Sequence, residues 1–211
     1  MVEATETKPT LRRRIIEAAD SLIREHGLAG TTTREIARAA GCAEGSIYVH
    51  FQDKIDLVIA VIVEREPYFA ELLELPKRAG EGTVDANLVP WVEELVSLIR
   101  DNQPIFFAIM SDRNVFDRFK ARLSERQTGL VAVFKAASDY VRTEQALGRV
   151  DPRVKPEVVA TILIGAARDH TFTRAFAGIA TPSAEGFAQE LVRTVVHGLA
   201  PTTPNAEEES A

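Results

Sequence analysis

The sequence predicts an all-α protein: a small N-terminal three-helix unit followed by a larger C-terminal helical bundle, about nine helices in total. Three observations carry this. Apolar residues recur at helical spacing along most of the chain. No segment alternates convincingly at a period of two, so no sheet is expected. Glycines punctuate the pattern where it stops, at Gly27, Gly41 and Gly148, and Pro152 and Pro156 follow the last of them.

Leu11, Ile15, Ala18, Leu22 and Ile23 fall on one face of a first helix. Gly27 ends it as a left-handed cap, and Leu28 can fold back against the last turn. Thr32 or Thr33 is a natural N-cap for a short second helix that Gly41 closes. The stretch AEGSIYVHF, Ala43 to Phe51, makes a third. A fourth starts near Asp53 and should be kinked or interrupted at Pro67, because proline removes a hydrogen bond and clashes with the preceding turn. KRAGEGTVDAN reads as a loop, and a helix follows from near Asp85 with Pro90 early in it. A separate short helix is expected after Gln103. Helical spacing continues from Asn114 to Gln145, Gly148 to Pro156 is the longest break, and two apolar helices finish the fold. The domains expected are 9–55, 56–200 and a disordered acidic tail over 201–211.

The chain has 211 residues, enough to bury a sizeable core, and a formal net charge of −6. It lacks an apolar run long enough to span a membrane, and its polar, acidic N-terminus lacks the apolar region of a secretory signal. A cytoplasmic protein without membrane contact is expected. A lone cysteine, Cys42, makes no internal disulfide and reads as a small hydrophobe. His26, His50, His170 and His197 are scattered without metal-ligand spacing, and Asp169 beside His170 is not a triad. No catalytic residue, metal or cofactor is therefore expected, and the chain does not read as an enzyme. The acidity lies mostly downstream of Ile55; from Thr10 to Ile55 the charge is close to neutral. Charge thus permits a nucleic-acid partner without demonstrating one.

In TREIARAAGCAEGSIYVHF two short helices flank a tight turn, which is helix-turn-helix spacing. Small Ala37 lets the helices cross closely, Gly41 takes the left-handed turn conformation, and Ile36, Ala40, Ile47 and Phe51 form the core between them. The segment from Ala19 to Val61 resembles the DNA-binding domain of the TetR family of bacterial transcriptional regulators. The resemblance rests on His26-Gly27, Thr32-Thr33, Ile36-Ala37, Ala40-Gly41, Gly45, Tyr48, His50-Phe51, Lys54 and Leu57. Downstream the chain matches that family only in outline.

The resemblance implies a homodimeric, helix-turn-helix transcriptional regulator, with two small domains on a palindromic double-stranded operator and a larger domain that binds an effector. It implies phosphate contacts from Tyr48 and Lys54. Arg34 can reach phosphate or a base edge, and Thr33 suits a phosphate. Sequence reading falls to Glu44, Gly45, Ser46 and Val49, the outward side of the third helix, and His50 either joins them or contacts a phosphate. Ala43 stands where the family often has serine or threonine, so a cap worth about 1 kcal/mol is missing. Glu44 either reads a cytosine amino group or restrains non-specific binding.

Aromatic and polar residues of the larger domain suggest a small, largely apolar effector beside Phe69, Trp91, Phe107, Met110, Phe134 and His170. Ile162, Gly165 and Ala166, with Phe187, Leu191 and Val195, form apolar stripes that a second copy would cover as a four-helix dimer interface. The reading is a repressor released by its effector. The alternative is a helical protein–protein adaptor that has lost DNA binding.

Overall fold

The computed structural model describes residues 9–65, 67–180 and 182–198. Among the described residues it contains ten α-helices and no strand. The expected tail lies outside the described residues.

Helix α1 (Leu11–Gly30) starts at an N-cap, Thr10, whose side chain accepts from the Arg13 amide, and breaks at Gly27, where φ is 74°. Thus the predicted stop is real as a kink, but one more turn follows before Thr31. Helix α2 (Thr33–Ala39) carries a capping box: Thr32 accepts from the Glu35 amide, and the Glu35 carboxylate accepts from the Thr32 amide. Thr32, not Thr33, is therefore the cap. Thr32→Ala is expected to lower stability by about 1 kcal/mol in urea unfolding, whereas Thr33→Ala should leave this cap intact. Equal losses from both would show that the cap has been assigned wrongly.

Helices α3 (Glu44–His50) and α4 (Lys54–Ala60) follow, the latter capped by Asp53. The fourth helical path is interrupted, as Pro67 requires: α4 gives way to a π-helical turn at Val61–Arg65, and α5 (Pro67–Leu73) starts afresh. After a short 3₁₀ turn comes α6 (Val84–Met110), which runs straight through Pro104. The separate helix expected after Gln103 is instead its last turns. A missing hydrogen bond at proline costs about 3 kcal/mol. Here both ends of α6 are held by packing: Leu95 and Ile99 lie in one core, Ile105 and Ile109 in the other.

The stretch from Asn114 to Gln145 divides into α7 (Arg113–Arg126) and α8 (Leu130–Ala146), parted where Gln127 and Gly129 take positive φ. This split, together with the break before α5, brings the count to ten. Helices α9 (Pro156–Ala177) and α10 (Ala184–His197) pack on α6, and α9 also packs on α8.

Two apolar cores result. The first joins α1 to α4 but also takes Ile105 and Ile109 from α6 and Phe119 from α7. Packing is therefore continuous across the expected boundary at residue 55, which falls inside α4. The second core gathers α5, α6, α8, α9 and α10 around Trp91 and Tyr140. Rotating the small unit against the bundle must shear the first core.

Candidate nucleic-acid interface

The α2–α3 turn is built by local backbone chemistry. The Ala40 amide donates to the Ile36 carbonyl (2.8 Å), Cys42 to Ala37 (3.0 Å), and Gly41 sits at φ 66°. This aims α3 so that Ile47 is fully buried and Phe51, at its end, is buried beneath it. The opposite side is open: Glu44, Gly45, Val49, Tyr48 and His50 are exposed, Val49 at 80%, and Ser46 is half-buried. A valine left so exposed contributes little to folding, and its apolar tip suits a thymine methyl. A Cβ added at Gly45 would meet nothing within 4 Å. The free fold thus has room for alanine there, although glycine inside a helix costs about 1 kcal/mol.

Helix α3 has no side-chain cap at Ala43. Glu44 in its first turn instead accepts from the Thr33 hydroxyl at 2.7 Å, and that hydroxyl lies 3.3 Å from the Tyr48 hydroxyl. The structure therefore brings together three of the residues singled out from sequence, on two helices. Arg34, at the start of α2, is exposed and pairs with no carboxylate among the described residues. His50 sets its ring edge-on to Phe51, 6.3 Å between centroids.

Lys54 does a job the sequence did not reveal. Its ammonium donates to the carbonyls of Leu28 and Thr31, fastening the end of α1 to the start of α4. Burial lowers its pKa, and the nearby Glu35 charge partly opposes this. Two of its three N–H donors are committed and one remains.

A row of arginines on α7 was also missed. Arg118 pairs with Asp53 at 2.7 Å, Arg122 donates to Gln52, and Arg126 pairs with the buried Asp56. These ties fix the start of α4, and with it the α3 unit, against the bundle. The signal was present as arginines four residues apart, but nothing in sequence named their partners.

The expected effector residues do not form one lining. Phe69 and Trp91 are buried in the second core, where the Trp91 indole donates to the Leu72 carbonyl at 3.0 Å, and Phe134 packs at its edge. His170 is buried and stacks on Phe187, centroids 4.2 Å apart, and desolvation lowers its pKa. Phe107 belongs elsewhere, in an aromatic cluster with Phe172 and Phe176. Met110 is 67% exposed at the end of α6, so it lines no interior space.

The expected dimer residues divide as well. Phe187, Leu191 and Val195 are half-buried against the second core of their own chain, because α10 turns its apolar side to α6. The open stripe lies on α9: Val158, Ile162, Phe172 and Phe176 are exposed, with Gly165 and Ala166 half-buried between them. No helix is long and apolar enough to cross a membrane, and no group of three or more His, Cys, Asp or Glu could hold a metal ion, both among the described residues.

Residues 15–61 match the family model of the bacterial regulatory proteins, tetR family. Over nearly the whole chain the fold resembles solved structures. A putative TetR-family transcriptional regulator from Mesorhizobium loti MAFF303099 is 19% identical, over 89% of this chain and 95% of that one, with a TM-score of 0.72. GusR of Salmonella enterica is 19% identical over 92% and 100%, at 0.66. The transcriptional regulator FadR from Bacillus subtilis, solved in complex with stearoyl-CoA, is 18% identical over 89% and 98%, at 0.64. At such identities the likeness is one of fold.

Proposed function

We propose that this chain, with a tetR-type N-terminal segment on a TetR-type fold, is a DNA-binding repressor. It acts as a homodimer on a palindromic operator and is released by a small, largely apolar effector. The observation that carries this is the outward face of α3. Gly45, Tyr48, Val49 and His50 are held open to solvent, with Ser46 half-buried among them, by a buried Ile47 and Phe51, and the fold itself has little use for the residues displayed. Val49 and Ser46 read base edges; Tyr48, Thr33, Arg34 and the remaining donor of Lys54 hold phosphate.

The apolar stripe on α9 supports the dimer, since a two-fold axis lets identical stripes cover each other. Ile162, Gly165 and Ala166 sit at its middle, where small residues permit close approach. Of the α10 residues, Phe187 reaches α9, where it stacks on His170. In the two-state mechanism the dimer presents its recognition helices about 34–36 Å apart, one DNA turn. The effector favours a different spacing, and the α7 arginine row transmits it to α4. The B. subtilis structure holds stearoyl-CoA, whose long acyl chain supports an effector with an apolar part; the packed second core around Phe69, Trp91 and Phe134 would have to open to admit it.

The test is duplex selection from a random library with the purified protein, followed by binding as a function of salt. A palindromic sequence should emerge. For a dimer touching about six phosphates, affinity should fall by about 10³ between 50 and 200 mM salt. Binding that ignores salt, or no enriched sequence at all, would count against the reading.

A further inference from the structure

We infer that Glu44 is an internal stand-in for a DNA phosphate: it occupies the Thr33 hydroxyl, beside that of Tyr48, and so lowers affinity for every duplex alike. This rests on the DNA-binding reading above and assigns one residue a regulatory part in it.

Thr33 is the first residue of α2, yet α2 does not need its hydroxyl, because Thr32 and Glu35 already cap each other. Tyr48 is 53% exposed, and its hydroxyl lies near Thr33 rather than in a core. Two hydroxyls from two helices thus meet on the face that presents Gly45 and Val49. Hydroxyls on such a face serve as phosphate donors. Here an anion from the chain itself is already in place, with a Glu44 oxygen 2.7 Å from the Thr33 hydroxyl.

A hydroxyl has one proton to donate. Thr33 can give it to Glu44 or to a phosphate oxygen, not to both. Duplex binding must therefore break the Glu44 contact before the phosphate contact forms. Phosphates are present in every sequence, so the cost is the same for the operator and for unrelated DNA. Glu44 lowers absolute affinity and leaves sequence preference untouched. The consequence concerns release: a weaker complex needs less differential affinity from the effector to dissociate.

The experiment is a double-mutant cycle on the full-length protein by fluorescence anisotropy. Its probes are the duplex selected above and a shuffled duplex of the same composition. Glu44→Ala should tighten binding to both by a similar factor, about fivefold, the net scale of one ordinary solvent-exposed hydrogen bond. In a Thr33→Val background the same substitution should change affinity by less than about twofold, because the contested hydroxyl is gone. Circular dichroism should show all variants folded, as Glu44 is exposed.

Three results would overturn the inference while leaving DNA binding intact. Glu44→Ala could leave both affinities unchanged. It could give the same gain with Thr33→Val, which would reveal charge repulsion alone. It could lose preference at a single base pair without affecting the shuffled duplex, which would make Glu44 a cytosine reader. If neither wild type nor Glu44→Ala binds any duplex, the DNA-binding reading falls, and this inference with it.

Discussion

An Ile162→Asp chain is expected to sediment as a monomer and to bind the selected palindrome about 100-fold or more weakly than wild type. Ile162 lies on the open stripe of α9, one turn after Val158 and on the same side as the stacked pair Phe172 and Phe176, whose ring centroids are 4.6 Å apart. At 45% exposure its side chain holds little of its own subunit together. A carboxylate there would have to be buried without a partner on both sides of a two-fold interface, which is strongly unfavourable. The loss on DNA follows from geometry. Joined half-site binders gain roughly 10² to 10⁴ in avidity from the second contact, and monomers forfeit it. Affinity for a single half-site should stay near the wild-type value. The melting temperature of wild type should rise with protein concentration, while that of the variant should not. A variant that remains a dimer, or a monomer that binds the full palindrome as tightly as wild type, would remove α9 from the interface.

Phe51→Ala should be the most damaging single change in the small unit, destabilising it by about 3–5 kcal/mol. Phe51 is 2% exposed in the first core, and the Arg12 guanidinium lies over its ring at 4.9 Å. Arg12 is also paired with Glu64 on the π-helical turn, so the ring joins α1, the end of α3 and the path leading to α5. Removing it leaves a cavity and loosens the support beneath α3. Val49→Ala, two residues away, should change stability by less than about 0.5 kcal/mol, since Val49 is open to solvent. It should still weaken binding to the selected duplex. Urea unfolding of the two variants beside wild type decides this. Comparable destabilisation by both would mean that α3 does not present the faces described.

Much of the small unit was legible because its determinants are local. Gly41 marks the turn, a threonine at 32 or 33 marks the start of α2, and Ile47 and Phe51 recur one helical turn apart. Such signals depend on neighbours within a few residues, so the order of residues carries them. The outward side of α3 followed as the remainder once its inward side was known. Helix type was legible for the same reason in the bundle. Boundaries were less so: Pro104 reads as a stop, but packing at both ends of α6 overrides it, and the break at Gln127 has only Gly129 to mark it.

By itself, then, the sequence determined an all-α chain with a helix-turn-helix at its start and apolar stripes farther on. Tertiary structure decided which partner each side chain took. It placed Glu44 on Thr33, committed Lys54 to two carbonyls of the α1–α2 connection, and set the α7 arginines on Asp53, Asp56 and Gln52. It also spent the apolar side of α10 on α6, left that of α9 open, and put Met110 outside both cores. The physical reason is range. Helix formation and capping are settled within one or two turns, whereas a hydrogen bond or an apolar contact between distant segments exists only once packing has brought them together.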